Sequence, residues 1–481
     1  MKQKSLGFNA FINGLKTVVS IIFPLITYPY VSKILGVMEL GKYNFAYSVI
    51  NYFYLFSSLG FSTYAIREGA KYKNVRDDIS EFSSEILSMN LVSTLISYLV
   101  LFLFIAFIPS LNPYNALLLV FSVNMVFTTF GCEWLFMIYE EYPFIALRSV
   151  IMQVVSLALL FILVKTPNDV LMYALITVIA ASGNNIFNIL KLKNYVTLKI
   201  KFKFDWKRHL IPILILFTNT LAINLYVSSD LTILGILKSD YEVGIYSVST
   251  KIYSVVKNLL SAIIVVSIPR LAYLWNTDLK EEFYSLTNTI INVLILVSFP
   301  AVTGLFCLSE EVIRVISSPE FLSANTSLRI LSIALICCLF NWFFSSCILV
   351  PCKQEKYVVR STVLAAVTNI MFNFILIPFF SENAAAFTTL LAEGLSMCVT
   401  YHYAKSIIKI DFDFSNITTV LVGCVFIYAY CTLLRLAHLS FIGYFLLSIS
   451  GSMIGFGVIL LLLRNKYVFV LLDQVKNKVK K

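Results

Sequence analysis

Long apolar stretches recur along the whole chain and are separated by short polar segments. A helix needs about 20 apolar residues to cross the roughly 30 Å of hydrocarbon in a bilayer. Stretches of about that length lie at 8–32, 43–66, 83–108, 114–138, 143–164, 169–190, 210–237, 243–268, 285–308, 325–350, 357–380, 384–404, 417–435 and 441–463. The pattern predicts an all-α polytopic membrane protein with about 14 transmembrane helices.

The composition agrees with this pattern and excludes an ordinary soluble domain. Of the 481 residues, 59% are hydrophobic and 13% are charged, whereas soluble domains carry about 25% charged residues. Nine cysteines occur without a C-x-x-C pair, so we expect buried thiols and neither zinc nor a disulfide framework. We therefore expect no metal and no cofactor.

The basic residues predict the orientation of the chain in the membrane. They concentrate at the amino terminus, at 67–76, at 191–209 and after residue 464. Cytoplasmic loops of membrane proteins carry an excess of Lys and Arg, so both termini and the 191–209 loop are expected in the cytoplasm. This topology accounts for the net charge of +11, and we expect no nucleic-acid binding.

The 191–209 loop divides the chain after six spans and predicts two parallel lobes. Ile-Leu-Gly at 34–36 before Gly-Lys-Tyr at 41–43 is echoed by Ile-Leu-Gly at 233–235 before Gly-Ile-Tyr at 244–246. Because six is even, the halves share an orientation, which predicts a pseudo-two-fold axis along the membrane normal. The expected domains are an N-terminal six-helix lobe at 1–190, a basic cytoplasmic linker loop at 191–209, a C-terminal six-helix lobe at 210–404, two additional transmembrane helices at 405–464 and a basic cytoplasmic tail at 465–481.

Polar residues at helical spacing form one face of several predicted spans. The candidates are Asn13 and Lys16 in the first span, Tyr47, Asn51 and Tyr54 in the second, and Tyr246, Tyr253 and Lys257 in the eighth. Polar side chains in lipid are costly and normally face a bundle interior or a water-filled cavity. We expect a translocation cavity between the halves, lined by these faces. The alternative is that they only hydrogen-bond neighbouring helices and that Lys16 snorkels to the cytoplasmic surface.

Three further residues carry two interpretations each. Asp230 lies deep in the seventh span and either pairs with one of the lysines or couples transport to H+ or Na+. Pro24 and Pro29 interrupt the first span and either form a hinge or are simply tolerated. No P-loop, H-E-x-x-H or G-x-S-x-G motif occurs in the sequence, so we expect a transporter and not an enzyme.

Several motifs resemble a known transporter family. Residues 26–36 are ITYPYVSKILG, 41–46 are GKYNFA and 64–68 are YAIRE, and further matching patches begin at Glu133, Asp230 and Pro269. They are similar to Wzx-type O-antigen and polysaccharide flippases, of the polysaccharide transporter family in the multidrug/oligosaccharidyl-lipid/polysaccharide superfamily. In that family the fourth-span motif commonly ends in Gln-Gly-x-Glu and a Lys often follows the equivalent of Asp230. This chain has MIYE at 137–140 and Leu231 instead.

The resemblance implies that an undecaprenyl-diphosphate-linked oligosaccharide repeat unit moves from the cytoplasmic to the outer leaflet, by alternating access and without ATP hydrolysis. It implies O-antigen, capsule or similar polysaccharide biosynthesis in the bacterial cytoplasmic (inner) membrane, beside polysaccharide polymerase and chain-length machinery. A diphosphate in low-dielectric space needs fixed positive charge, which Lys16 and Lys257 can supply.

Two other functions compete with this interpretation. The first is an ion-coupled multidrug or small-molecule exporter of the same fold, whose cavity would favour acidic residues over lysines. The second is a membrane glycosyl-polymerase or ligase, which usually needs a large non-cytoplasmic loop. The longest candidate for such a loop is the short segment 309–324, so the enzyme is disfavoured.

Overall fold

The computed structural model describes residues 6–469, apart from the side chains of 6–18, 20, 21, 219, 222, 223 and 225–227. The α-helices of this part are α1 (Leu6–Ser58), α2 (Phe61–Gly69), α3 (Arg76–Phe107), α4 (Asn115–Gly131), α5 (Glu133–Ile138), α6 (Tyr142–Leu163), α7 (Val170–Ser182), α8 (Asn185–Leu192), α9 (Trp206–Leu237), α10 (Asp240–Leu260), α11 (Ala262–Asn276), α12 (Lys280–Cys307), α13 (Ser309–Ile316), α14 (Ala324–Phe343), α15 (Glu355–Ala404), α16 (Phe414–Leu436) and α17 (Phe441–Leu462). A π-helical turn, Phe344–Leu349, continues α14. The all-α prediction is confirmed.

Two of these helices are too long for one crossing, and each breaks once. α1 has 53 residues, which in a straight α-helix would measure about 80 Å. Its backbone leaves helical geometry at Gly36, with φ 69° and ψ −178°, a conformation open to glycine because it has no Cβ. α15 breaks at Ser381, with φ 51° and ψ −131°. The break at Gly36 lies between the first and second predicted spans, and the break at Ser381 lies between the eleventh and twelfth.

The break in α1 does not lie at a proline. The backbone remains helical at Pro24 and Pro29, which are both inside the helix, and Gly36 alone departs from helical geometry within it. The hinge role of the two prolines therefore stays a prediction. The break itself lies at Gly36, the glycine of the first Ile-Leu-Gly motif.

Other glycines of the echoed motif allow close backbone approach. A Cβ added to Gly41 would overlap the carbonyl oxygen of Asp240, and one added to Gly244 would overlap the carbonyl oxygen of Val37. The two copies of the motif thus pack backbone against backbone. This packing explains why glycine recurs at both junctions.

The helices account for a multi-pass membrane protein. Among the described residues, eight helices are long and apolar enough to cross a membrane, or up to ten if α7 with α8 and α10 with α11 each count as one bent span. Helical segments also occupy all fourteen predicted stretches, but the number of crossings stays a prediction. Large apolar side chains face outward, as Leu95 and Phe107 of α3 do with 67% and 77% exposure, which only a lipid environment tolerates at this density.

The backbone divides into two compact units, Met1–Gly244 (unit 1) and Ile245–Lys481 (unit 2). α9 therefore belongs to unit 1, although the sequence places a lobe boundary before it. The expected domain limits at 190, 209, 404 and 464 stay predictions.

In unit 1, a serine ladder on α3 holds the basic linker. Its rungs are Ser80, Ser84 and Ser88, one turn apart, which accept hydrogen bonds from the backbone N–H groups of residues 197, 199 and 201 at 3.0, 3.1 and 2.8 Å. Each serine hydroxyl in turn donates to the carbonyl four residues earlier, at 2.6 Å. The linker is therefore docked through its main chain on the first turns of α3.

Unit 2 contains a similar arrangement, an asparagine ladder on α12. Asn288 accepts from the backbone N–H of Asp411 at 2.9 Å, and Asn292 accepts from that of Asp413 at 3.1 Å. The amide of Asn292 also donates to the Asp411 carbonyl at 3.0 Å. In each of the two predicted six-span lobes, the segment after the sixth span is thus bound by polar side chains of the helix that contains the third. This shared arrangement agrees with the echoed motif as a sign of internal repetition.

Candidate functional site

A small polar cavity in unit 1 brings together the three candidates of the second span. Tyr47, Asn51 and Tyr54 line a space of about 90 Å³ together with Tyr43, Asn124 and Thr177. They lie at positions i, i+4 and i+7 of α1, which places them on one face of a helix. The spacing in the sequence therefore identified a set of side chains that do share a cavity.

Aromatic rings and hydroxyls alternate on the wall of this cavity. The rings of Tyr43 and Tyr47 are stacked with centroids 6.2 Å apart, and Phe121 meets both edge-on at 5.2 and 5.4 Å. The Tyr43 hydroxyl donates to Oγ1 of Thr177 at 3.2 Å. A surface of rings with hydroxyls and amides at their edges suits a ligand with apolar faces and polar rims, as a sugar has.

An ion pair with a buried arginine lies near Tyr54 in unit 1. The guanidinium of Arg148 is 3.0 Å from a carboxylate oxygen of Glu133, and the Arg148 side chain is 2% exposed. Nη1 of Arg148 also donates to the Asn184 carbonyl at 3.2 Å, and its Cζ lies 5.8 and 5.4 Å from the ring centroids of Phe136 and Phe144. The pair joins α5 to α6 in a region where an unpaired charge would be strongly unfavourable.

In unit 2, two candidates of the eighth span, Tyr253 and Lys257, lie near a buried carboxylate. Glu393 of α15 is 4% exposed and accepts a hydrogen bond from the Tyr253 hydroxyl at 3.5 Å. Nζ of Lys257 lies 5.9 Å from the ring centroids of both Tyr253 and Trp342. Glu393 and the thiol of Cys338 are among the groups that interact with the Lys257 ammonium. We call Tyr253, Lys257, Trp342 and Glu393 the lysine cluster.

Tyr246 lies about two turns before Tyr253 and about three turns before Lys257 on α10. It is completely buried, and its hydroxyl shares a hydrogen bond of 3.4 Å with Thr389 of α15. Thr389 and Glu393 are four residues apart and lie on one face of α15. The polar face of α10 therefore packs against a polar face of α15.

The chain is similar to a known protein family and to several solved structures. Residues 6–275, more than half of the chain, match the family described as "Polysaccharide biosynthesis protein". The chain belongs to this family. The resemblance to Wzx-type polysaccharide flippases is thereby confirmed.

The relatives of this chain have consistent descriptions. A putative O-antigen transporter of Escherichia coli K12 is 25% identical over 52% of this chain. The capsular polysaccharide biosynthesis protein CapF of Staphylococcus aureus is 24% identical over 77% of this chain and 91% of its own length. The matched region covers 61% of the E. coli protein and 40% of the Haloferax volcanii protein described as probable low-salt glycan biosynthesis flippase Agl15.

Solved structures confirm the fold of this family member. The lipid II flippase MurJ in an inward closed conformation superposes with a TM-score of 0.76, at 13% identity, over 95% of this chain and 99% of that one. An inward-facing multidrug resistance MATE transporter of the MOP superfamily gives a TM-score of 0.60, at 12% identity, over 81% and 94%. At these identities the likeness concerns the fold alone.

The structure describes the other predicted site residues less completely. The side chains of Asn13 and Lys16 lie outside the described residues, so their roles stay predictions. Asp230 is 7% exposed in α9, and its charge acts on the Tyr52 hydroxyl. Whether Asp230 forms an ion pair or couples to an ion also stays a prediction. No group of three or more potential metal-ligating side chains occurs within the described part of the chain.

Two charged residues of the spans, Arg148 and Glu393, were not among the predicted site residues. Arg148 is the one charged residue of the stretch 143–164, and Glu393 is the one charged residue of 384–404. A lone charge within a membrane span is itself a signal of function or pairing, so both could have been selected from the sequence. Their partners could not, because Glu133 and Tyr253 lie on other helices.

Proposed function

We propose that this protein is a flippase that moves an undecaprenyl-diphosphate-linked oligosaccharide repeat unit from the cytoplasmic to the outer leaflet by alternating access. The product would serve O-antigen, capsule or a similar surface polysaccharide. The observation that carries the proposal is the family match together with Lys257, a half-buried cation in a chain with the fold of a lipid II flippase. The descriptions of the E. coli and S. aureus relatives support the substrate class.

The side chains suit the three parts of such a substrate. Lys257 supplies positive charge for a diphosphate, since an ammonium attracts phosphate more strongly where water is excluded. The tyrosines and amides of unit 1 suit the sugars. The prenyl chain can remain in the lipid, which needs no polar site at all.

The setting of the protein belongs to the same proposal. We place it in the bacterial cytoplasmic membrane with both termini in the cytoplasm, because the basic segments are cytoplasmic by the positive-inside rule. Polysaccharide polymerase and chain-length machinery would receive the flipped unit. A gradient of H+ or Na+ would drive the cycle, with Asp230 or Glu393 as the buried carboxylate that responds to it.

Variants of Lys257 test the proposed contact with the diphosphate. In cells that lack the native gene, Lys257→Ala should abolish surface polysaccharide and leave lipid-linked repeat units on the inner leaflet. Lys257→Arg should retain part of the activity because it keeps the charge. Lys251→Ala, on the same helix but about 120° away in the helical wheel, is the matched control. Full polysaccharide assembly by Lys257→Ala at normal protein level would contradict the role.

An ion-coupled multidrug or small-molecule exporter is the second candidate, supported by the MATE fold and by the buried carboxylates of Asp230 and Glu393. The gene deletion separates the two. A flippase deletion traps lipid-linked repeat units in the inner leaflet and leaves drug sensitivity unchanged, whereas an exporter deletion has the opposite effects.

A further inference from the structure

A second polar cavity lies in unit 2, where four helices end or begin. It has a volume of about 250 Å³ and is lined by side chains from the end of α12, the start of α14, the end of α16 and the start of α17. Arg329 and Arg435 both face it. We call it the two-arginine cavity. It shares no lining residue with the lysine cluster.

Arg435 is held rigidly at one wall. Its Nε donates to the Tyr444 hydroxyl at 3.1 Å, and its Nη2 donates to the Cys307 carbonyl at 3.0 Å. The same Nη2 is 3.2 Å from both carboxylate oxygens of Glu311. Four acceptors thus fix this guanidinium in place, and Glu311 neutralises its charge.

Arg329 brings a charge that is not neutralised. Its Nε donates to the Ser309 hydroxyl at 3.0 Å, and its Cζ lies 5.4 Å from the centroid of the Phe306 ring. Among the described residues, no carboxylate lies within ion-pair distance of Arg329. Two guanidiniums against one carboxylate leave the cavity with one net positive charge.

The position of the cavity matches the headgroup level of a bilayer. Arg329 is five residues from the start of α14, Arg435 is one residue from the end of α16, and Tyr444 is three residues from the start of α17. Apolar side chains beside the cavity face outward, as Leu436 and Ile442 do with 71% and 67% exposure. A ligand held there would therefore keep its apolar part in lipid.

We propose that the two-arginine cavity binds the phosphate group of a lipid headgroup. Guanidinium groups bind phosphate oxygens through paired, charge-assisted hydrogen bonds and are more easily desolvated than ammonium groups. The lipid is either an anionic phospholipid of the surrounding leaflet or a prenyl diphosphate. The site does not depend on the proposed flipping activity, and a failure of one leaves the other intact.

Lipid pairs that differ only in the phosphate-bearing group test this site. The purified full-length protein in detergent would be mixed with phosphatidylglycerol or diacylglycerol, and with undecaprenyl diphosphate or undecaprenol, and bound lipid would be counted by native mass spectrometry. The wild-type protein should retain the phosphate-bearing member of at least one pair in clear excess. The pair that does so identifies the source of the phosphate.

Two arginine variants make the test specific. Arg329→Gln removes the unpaired charge and should weaken retention of that lipid about tenfold or more, as expected for loss of a hydrogen bond to a charged group. Arg314→Gln is the matched control, because Arg314 is an exposed arginine of α13 that pairs with Glu310 at 2.7 Å and does not line the cavity. It should bind like the wild type. A thermal melt of each variant checks that the fold is kept.

Three results would overturn the proposal. One is equal retention of each phosphate-bearing lipid and its phosphate-free counterpart by the wild type. Another is unchanged retention by Arg329→Gln with a melt like that of the wild type. The third is binding of inorganic diphosphate without retention of either phosphate-bearing lipid. If Arg329→Gln melts at a lower temperature than the wild type, Arg329→Lys replaces it in the test, because Lys keeps the positive charge and lacks the planar guanidinium. Lipid retention by Arg329→Lys should then lie between that of the wild type and that of Arg329→Gln.

Discussion

The buried pair of Arg148 and Glu133 makes a quantitative prediction about stability. Removing one partner of a buried ion pair costs about 3–5 kcal/mol, because the remaining charge is left uncompensated. The carboxylate of Glu133 keeps 29% exposure and can regain some water, so we expect the lower end, about 3 kcal/mol, for Arg148→Met. That loss corresponds to a change of about a hundredfold in the folding equilibrium. Met keeps an unbranched apolar side chain at this position, although it also removes the guanidinium that lies over the rings of Phe136 and Phe144.

A double-mutant cycle shows where this free energy comes from. Unfolding in mixed micelles by increasing SDS, followed by tryptophan fluorescence, would be measured for Arg148→Met, Glu133→Gln and the double variant. The double variant should recover at least about 2 kcal/mol relative to Arg148→Met, since replacing both members of a buried pair is often near neutral. Arg314→Met, which breaks an exposed pair with Glu310, should cost less than about 1 kcal/mol. If the double variant is as unstable as Arg148→Met, Arg148 stabilises the fold by packing and not by neutralising Glu133.

Three further predictions concern packing and the linker. Gly41→Ala should destabilise the fold strongly, because its Cβ would overlap the Asp240 carbonyl oxygen. Gly304→Ala is the control: no atom lies within 4 Å of its added Cβ, so it should melt at or above the wild-type temperature. Equal melting temperatures for the two variants would contradict the close approach at Gly41. Ser84→Ala removes the acceptor of the Lys199 amide and should raise hydrogen exchange at that amide about five- to tenfold, for a hydrogen bond of about 1 kcal/mol, without a comparable change in α12. The hydrogen bond to Glu81, with a smaller contribution from Glu85, raises the pKa of Lys201. The contribution of these contacts to linker docking is therefore complete below the unfolded pKa of about 10.4 and is lost as pH rises through the higher folded value. Proteolysis of the linker should accelerate there in the wild type, and the step should be smaller in Glu81→Gln and absent when Glu85 is also replaced by Gln.

The sequence was sufficient for those features that depend on one helix or on the solvent around it. Hydrophobic length predicted membrane helices, and the spacing of Tyr47, Asn51 and Tyr54 predicted that they share a face, because both follow from helix geometry alone. The role of that face in translocation stays a prediction. The family motifs at 26–46 were also recognisable from local sequence.

The remaining features depend on how distant segments meet. The sequence identified prolines as candidate bends of α1, yet the departure from helical geometry lies at Gly36, since a proline inside a membrane helix can be accommodated by neighbouring groups. Glu393 could have been selected as the one charged residue of its span, but its meeting with Tyr253 and Lys257, about 140 residues earlier in the chain, could not be predicted. No periodicity within one span reports such a meeting.

The serine ladder has a consequence for how the linker can change during evolution. Its rungs bind main-chain N–H groups of alternate residues, so these three contacts do not distinguish one linker side chain from another. The exception is Lys201, whose ammonium pairs with Glu81 and Glu85 of α3. At the other linker positions bound by the ladder, substitutions can accumulate while the segment stays docked. A one-residue insertion or deletion is different, because successive side chains of an extended segment point to opposite sides. A shift by one residue would therefore place Lys199 and Lys201 on the side where Ile200 and Phe202 now lie. We therefore expect the amino acids of this segment to vary among related chains while its length is conserved. The same expectation holds for residues 409–413, which the asparagine ladder binds in the same way.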